Sequence, residues 1–532
     1  MRLQTASALS LTALLLAGTT TACRTDPIDA GGAPAVLPAS LTGQKLSWKA
    51  CPAPSVMQGT DEQPQPFEDG TAWQCATMRA PLDYADPEGE KISLALIRAR
   101  AEPAATKKGA PPRRLGSLVF NFGGPGGSGV ATLPQYAQDY PHLHERYDLV
   151  SFDPRGVGDS EGVRCLDDKA LQSWFATDSS PDDAAEARRY RQGWRDFARA
   201  CAKNSATVLP HVDTVSAARD MDLMRQVLGD RRLNYLGISY GSELGAVYAH
   251  LFPRRVGRTV LDAVVDPTQD DGAGALGQAH GFQLALENFM KECAEARDCP
   301  TGSGAEARKD PAEGTRKITA LLQRIDRKPL RTDDGSTLTQ AEATTGIMAA
   351  LYSKGTWGFL KVGLADAMTK GDGEWLQLMS DGYYSRDDHG RYSNLHAANT
   401  AVLCADSSDR YSERDIRARL PRFREASPVF GESMAWALLN CADWKVRPGS
   451  SPTVEAGAKG AAPIVVIGTT GDPATPYEGA RRMAGQLGEG VGINVTYRGD
   501  GHGAYPGSAC VTAAVNGYLL NGKVPADGTV CS

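Results

Sequence analysis

A short apolar run, Leu233 to Leu236, leads directly into Gly237-Ile238-Ser239-Tyr240-Gly241, and this G-x-S-x-G junction constrains the fold more than any other part of the chain. Beyond it Leu244, Val247, Tyr248 and Leu251 recur at i, i+3, i+4 and i+7 until Pro253 ends the pattern, as one face of a helix would. Strand, sharp turn and helix together predict a nucleophile elbow, with the Ser239 hydroxyl exposed at the top of a sheet. The serine of such a turn sits in strained backbone, so a Cβ on either side would clash and both flanks are glycine; Gly245 lets the helix lie close to the sheet. A pentapeptide alone also fits a glycine-rich turn. Its chemistry depends on whether the chain supplies a general base, a carboxylate to orient that base, and donors for an oxyanion.

All three have candidates, in the order Ser, Asp, His expected of α/β-hydrolases. Ile464-Val465-Val466-Ile467-Gly468 reads as a buried strand running into Thr469-Thr470-Gly471-Asp472-Pro473, which places Asp472 on a loop at a strand end. Taken alone, Gly-Asp-Pro is also ordinary turn chemistry. Ile493 to Tyr497 alternates as a strand and precedes Arg498-Gly499-Asp500-Gly501-His502-Gly503. Of eight histidines, His502 is the one in a glycine-flanked loop directly after a strand near the C-terminus, whereas His142, His144 and His250 read as surface or packing residues. Asp500 rivals Asp472 as the acid, but two residues of separation from His502 is poor geometry for a partner.

The oxyanion donors are expected from the Tyr240 backbone and from a loop after an early strand. Leu118 to Phe122 is that strand, and Gly123-Gly124-Pro125-Gly126-Gly127-Ser128-Gly129 is that loop, with Gly124 the expected donor. A phosphate cradle is the rival reading of so many glycines, but no Gly-Lys-Ser/Thr follows and no G-x-G-x-x-G register fits.

Asn121-Phe122-Gly123-Gly124-Pro125-Gly126-Gly127, Asp153-Pro154-Arg155-Gly156-Val157-Gly158-Asp159-Ser160 and the serine pentapeptide resemble the prolyl aminopeptidase and tripeptidyl aminopeptidase group of α/β-hydrolase serine peptidases. The secreted actinobacterial tripeptidyl aminopeptidases are the more similar branch. They also carry W-x-x-C and C-x-x-x-x-P-L-D-Y, here Trp48 to Cys51 and Cys75 to Tyr84, and a C-terminal segment like Gly468 to Cys531. Phe122 departs from the histidine that prolyl aminopeptidases carry before Gly-Gly-Pro-Gly, which counts against an iminopeptidase rather than against the fold. The resemblance implies Ser239, Asp472 and His502 as the triad, the same three residues that spacing selects.

The N-terminus reads as an export signal over residues 1–22: Arg2 in a short n-region, then Ala6 to Ala17, apolar but too short to span a bilayer. Cys23 resembles the lipid-modified residue of bacterial lipoproteins, although Thr20 stands where leucine is usual. Membrane attachment through a lipidated Cys23 and conventional cleavage with release are both open. Removing Cys23 from eleven cysteines leaves ten, an even number suited to an oxidising compartment. Their order suggests the local pairs Cys51 with Cys75, Cys165 with Cys201, Cys293 with Cys299, Cys404 with Cys441, and Cys510 with Cys531. No C-x-x-C or close Cys/His pair favours zinc, and no metal or cofactor is expected. With 57 basic against 63 acidic residues, a net charge of −6 and no basic cluster, nucleic acid is a poor partner; a monomer is expected.

Residues 23–45 read as an Ala/Pro/Gly-rich tether, 46–267 as the first part of an α/β-hydrolase core, 268–450 as a mainly helical lid, and 451–532 as the C-terminal part of the core. Core strands are expected at Ile92 to Ile97, Leu118 to Phe122, Leu149 to Phe152 and Thr259 to Leu261, with a helix from Ser216 to Leu228 before the elbow. Such alternation argues a mostly parallel sheet with helices on both faces. The charged stretch Lys309 to Lys328 reads as a solvated surface.

The lid must choose the substrate, since a serine triad serves esters and amides alike. An aminopeptidase would hold a free α-ammonium by a partly buried carboxylate, with Asp266, Glu287 and Asp406 as candidates. Each also fits a helix cap or surface charge. The expected activity is release of short peptides, tripeptides above all, from free N-termini through an acyl-enzyme. A carboxylesterase on the same fold is the nearer alternative, and a non-catalytic, lipid-anchored binding protein the more distant one.

Overall fold

In the computed structural model the described residues are 37–101, 113–266, 268–333, 335–446 and 456–532. The expected leader, Cys23 and most of the expected tether lie outside them. Where the tether does fall within them, Ala39–Thr42 form a helical turn and Leu41 is buried.

Runs of apolar residues become the central strands of a sheet. In chain order the strands are β1 (Lys49–Ala50), β2 (Gln74–Pro81), β3 (Lys91–Ala99), β4 (Gly116–Asn121), β5 (Tyr147–Phe152), β6 (Leu233–Ile238) and β7 (Val256–Asp262). Then follow β8 (Leu330–Arg331), β9 (Thr337–Leu338), β10 (Ile464–Gly471), β11 (Gly492–Asp500) and β12 (Thr529–Cys531). Ten of them form one sheet in the order β1-β2-β3-β5-β4-β6-β7-β10-β11-β12, while β8 and β9 pair as a separate ribbon. From β5 onward every pairing in the large sheet is parallel; β1 with β2, β2 with β3, and β3 with β5 are antiparallel. All six residues of β4 and of β5 are buried, as parallel strands between helical layers should be. This is the α/β-hydrolase fold expected from the alternation of elements.

The helix before the elbow runs Thr214–Val227, starting two residues before its expected position because Asp213 caps it, accepting from the Ser216 amide. Between β7 and β10 the chain is mainly helical: Asp271–Cys293, Ala312–Arg327, Gln340–Leu351, Trp357–Thr369, Glu374–Tyr383, Leu395–Asp406 and Glu413–Ala426 are its longer helices. Two helices between β5 and β6, Asp168–Phe175 and Ala184–Asn204, pack against this layer. Phe175 stacks on Tyr384 at 3.7 Å between ring centres, and Trp194 faces His396 at 6.1 Å. Five disulfides join Cys51–Cys75, Cys165–Cys201, Cys293–Cys299, Cys404–Cys441 and Cys510–Cys531.

The Asp-Pro-Arg-Gly segment after β5 ties the sheet to its loops. Asp153, fully buried, accepts from Ser128 Oγ at 2.6 Å, the Val130 amide at 3.1 Å and Gln58 Nε2 at 2.7 Å, which anchors the end of the glycine loop. Burial pushes its carboxyl up to about 6, against the pull of these donors. Arg155 is equally buried. It forms a bidentate pair with Asp220 at 2.7 Å and donates to the carbonyls of Pro81, Leu82 and His211. All five guanidinium donors are thereby used, the condition for holding such a charge inside a protein.

Candidate active site

Ser239 lies between β6 and the helix Tyr240–Leu251 with φ 60° and ψ −128°, a conformation that a non-glycine residue keeps only when its surroundings enforce it. The enforcement is local. A Cβ on Gly237 would fall 2.2 Å from the Gly241 carbonyl oxygen, and one on Gly241 would fall 2.4 Å from the Asn121 carbonyl oxygen. The Gly241 carbonyl in turn accepts from the Tyr235 hydroxyl at 2.7 Å. Ser239 itself is partly exposed, and its amide donates to the Asp262 carbonyl at 3.0 Å.

The glycine loop meets the elbow from the other side. A Cβ on Gly123 would be 2.7 Å from the Ser239 Cβ and 3.1 Å from the Tyr240 nitrogen. Gly123 spends its own amide on Asn121 Oδ1 at 3.0 Å. The Tyr240 amide opens a helix, so no intrahelical acceptor reaches it. Gly124, at φ 112°, follows directly in the loop and joins Pro125 through a cis peptide bond.

The structure brings Asp472 and His502 together. His502 Nδ1 donates to Asp472 Oδ1 at 2.9 Å and lies 3.1 Å from Oδ2. Asp472 is wholly buried and also accepts from the Ala474 and Thr475 amides and the Thr475 hydroxyl, each at 2.9 Å, so its orientation is fixed from three sides. With Nδ1 donating, Nε2 of a neutral imidazole is the free base. Burial pushes the His502 pKa down, but the charge and hydrogen bond of Asp472, with a smaller effect of Asp262, outweigh it and leave the imidazole above its ordinary value. The helical insertion between β7 and β10 holds the same residue: the Tyr352 carbonyl accepts from the His502 amide at 2.7 Å, and the Tyr352 ring meets the imidazole edge-on at 5.1 Å. No hydrogen bond joins the Ser239 hydroxyl to His502; contacts of this kind often tighten only in a substrate complex. Asp500, the rival acid, accepts from Asn288 Nδ2 at 2.8 Å and is not bonded to His502.

A cavity of about 780 Å³ opens beside Tyr240 and Thr475, the neighbours of the serine and of the Asp–His pair. Its lining includes the aromatic residues Trp174, Phe175, Trp194 and Tyr384 and the carboxyl groups of Glu243, Asp266, Asp271 and Asp406. Of the three carboxylates proposed from sequence, Asp266 is already committed, because Arg482 Nε donates to it at 2.6 Å and Thr268 and Gln486 complete its shell. Glu287 does not line the cavity; it accepts from Gln283 on its own helix at 3.2 Å. Asp406 does face it. Both its oxygens accept from Thr214, the amide at 2.8 Å and the hydroxyl at 2.6 Å, and the same hydroxyl touches the Tyr240 phenol. Burial, then the charge of Glu243, hold the Asp406 carboxyl well above the usual carboxylate range.

Glu243 was not among the sequence candidates. It stands one turn beyond Ser239 on the elbow helix, and among the described residues its carboxylate has no hydrogen-bond partner. Burial, with Asp271 and Asp266 nearby, pushes it up to about 7. The sequence signal that could have found it is a glutamate set among Leu244, Gly245, Ala246 and Val247, on a helix otherwise apolar almost throughout.

The sequence matches the family described as "TAP-like protein" over residues 427–531 and the one described as "alpha/beta hydrolase fold" over 116–312. It is 36% identical over 510 residues to serine protease Hip1 of Mycobacterium tuberculosis, covering 92% of this chain and 91% of that protein. It is 35% identical over 469 residues to carboxylesterase B of the same species, 86% of each chain. With the tripeptidyl aminopeptidase of Streptomyces lividans it shares 32% identity over 471 residues, 86% of this chain and 83% of that one.

Proposed function

Because this chain belongs to the TAP-like family of α/β-hydrolases and is a serine hydrolase, we propose that it is an exported exopeptidase that removes short peptides, tripeptides foremost, from free N-termini. The observation that carries this reading is the set of carboxyl groups lining the cavity beside Tyr240, where Glu243 has no hydrogen-bond partner among the described residues and its charge reaches Asp406. Carboxyl groups clustered in a partly desolvated cavity suit an α-ammonium, which brings the positive charge that Glu243 and Asp406 lack and the N–H donors that Glu243 lacks. A cavity of about 780 Å³ also falls in the range that encloses most of a small ligand. The five disulfides among the described residues support an oxidising, extracytoplasmic location.

In this reading Ser239 Oγ attacks the scissile carbonyl while His502 Nε2 takes its proton, and Asp472 stabilises the imidazolium. The amides of Tyr240 and Gly124 receive the oxyanion, a contribution of about 3 kcal/mol for each donor of this kind. His502 then returns the proton to the leaving amine. Water, activated by the same imidazole, attacks the acyl-enzyme and releases the peptide acid and free Ser239.

Carboxylesterase activity is the second reading, favoured by the 35% identity to carboxylesterase B. Rates on a free and an N-acetylated tripeptide arylamide separate the two. The exopeptidase loses its activity when the amine is capped; equal rates on both substrates would reject amine recognition.

A further inference from the structure

Asp262 ends β7, the strand lying between β6, which leads into Ser239, and β10, which leads into Asp472. Its main-chain carbonyl receives the Ser239 amide at 3.0 Å. Its side chain reaches the opposite way. Oδ2 accepts from the Ala504 amide at 2.9 Å and the Tyr505 amide at 2.8 Å, the two residues that follow His502-Gly503, and Oδ1 accepts from the Ala263 amide at 2.8 Å. One residue therefore touches the backbone on both sides of the reaction centre.

The position is costly. Asp262 is fully buried, no lysine or arginine pairs with it among the described residues, and Ala263 next to it is held at φ 52°, where a Cβ is disfavoured. A scaffold that needed only an acceptor at this point could use a neutral side chain. Burial and the charge of Asp472 raise the Asp262 carboxyl above its ordinary value, and the three amides on its oxygens act against them; a carboxylate solvated in this way, within electrostatic reach of both Asp472 and His502, points to a use for its charge.

We propose that Asp262 is a positioning residue for hydrolysis: it sets the Ser239 backbone through its carbonyl, fixes the His502 loop through its carboxylate, and adds a second negative charge that favours the imidazolium formed in the transition state. The proposal rests on the serine-hydrolase reading above. The groups facing these two side chains are few. His502 sees Asp472, Asp262 and the Tyr352 ring; Asp262 sees Asp472, His502 and, farther off, the Tyr140 phenol, which burial keeps protonated.

The test compares wild type with Asp262→Asn and Asp262→Ser in the full chain, measuring kcat, KM and the pH profile of kcat/KM on a free tripeptide arylamide. Asparagine keeps the shape but turns an N–H₂ toward amide donors. Serine, with a water, still accepts those protons while removing the charge, so it covers the case in which the asparagine variant does not fold. The expected result is a kcat lower by about tenfold or more with KM changed by about twofold or less. The acid limb of the profile should also move to lower pH by about half a unit or more, because a charge favouring imidazolium is gone. Variants that melt earlier but keep wild-type kcat and acid limb would overturn the proposal, leaving Asp262 a purely structural residue. So would failure of both variants to accumulate as folded protein, which would assign Asp262 to folding. If instead the wild-type enzyme neither turns over nor reacts with a fluorophosphonate, it is the hydrolase reading that fails.

Discussion

Asp472 accepts the imidazole N–H of His502 at 2.9 Å across 30 residues of chain, because β10 and β11 are parallel neighbours and both side chains leave the sheet at the same edge. The three further donors on Asp472 keep it an acceptor, which fixes the imidazole tautomer. This arrangement raises the pKa of His502 against the effect of burial.

The pH dependence follows from that sign. His502 acts as a base only when neutral, so kcat/KM should fall as pH drops through a pKa above the ordinary histidine value. Asp472→Asn removes the attraction, moves the acid limb to lower pH, and lowers kcat by about four orders of magnitude. Stopped assays on a peptide arylamide across the pH range read both effects.

Glu243 should govern recognition of the amine. Burial raises its pKa to about 7, so the carboxylate that binds an ammonium gains population as pH rises through that value. An α-amino group loses its proton near pH 8, and apparent affinity should therefore peak between about 7 and 8. Glu243→Gln should raise KM for a free tripeptide arylamide by about tenfold or more while leaving reaction with a fluorophosphonate unchanged. Steady-state kinetics on the two reagents checks this.

The triad candidates were legible because each stands in a short turn directly after a strand with a local pattern, a continuous apolar run before Asp472 and an alternating one before His502. Asp266 and Glu287 illustrate what is not local. The partner that occupies Asp266, Arg482, lies 216 residues away in sequence, and nothing near Asp266 announces it. Glu287 shares the long helix Asp271–Cys293 with cavity-lining residues such as Gln278, but helix rotation decides which side chains face the cavity, and that is set by packing rather than by spacing. Glu243 is hidden for the opposite reason: Leu244, Val247, Tyr248 and Leu251 mark the apolar face of its helix, and spacing does not show that the glutamate beside them lines a cavity. β2 escaped for want of an apolar run, since Gln74, Thr77 and Arg79 interrupt it; its place is fixed by an eight-residue antiparallel register with β3.

Arg155 and Asp220 should carry a large share of stability. Both are fully buried, and removing Arg155 leaves Asp220 without its countercharge, held only by the Tyr84 hydroxyl at 2.7 Å. Arg155→Ala is expected to cost about 3–5 kcal/mol, read as a lower midpoint in denaturant unfolding. Since Arg155 also spans the ends of β2 and the helix cap region near His211, the loss should be cooperative rather than confined to one loop.

The Cys404–Cys441 bond closes a loop with a sequence separation of 37 and lies two residues from Asp406. Replacing both cysteines by serine should destabilise the chain by about 4 kcal/mol on the loop-entropy estimate. It should also raise KM for free-amine substrates more than it lowers kcat, because the helix end bearing Asp406 loses its anchor. Thermal unfolding and the split between KM and kcat measure the two effects separately.

The central claim is that Ser239 is the nucleophile and His502 its base. Treating the folded protein with a fluorophosphonate and mapping the adduct by mass spectrometry tests it most directly, with His502→Ala as the comparison. The expected result is one adduct per chain on Ser239, formed far more slowly in the variant. An adduct on another serine, no adduct at all, or an undiminished rate in His502→Ala would contradict the account.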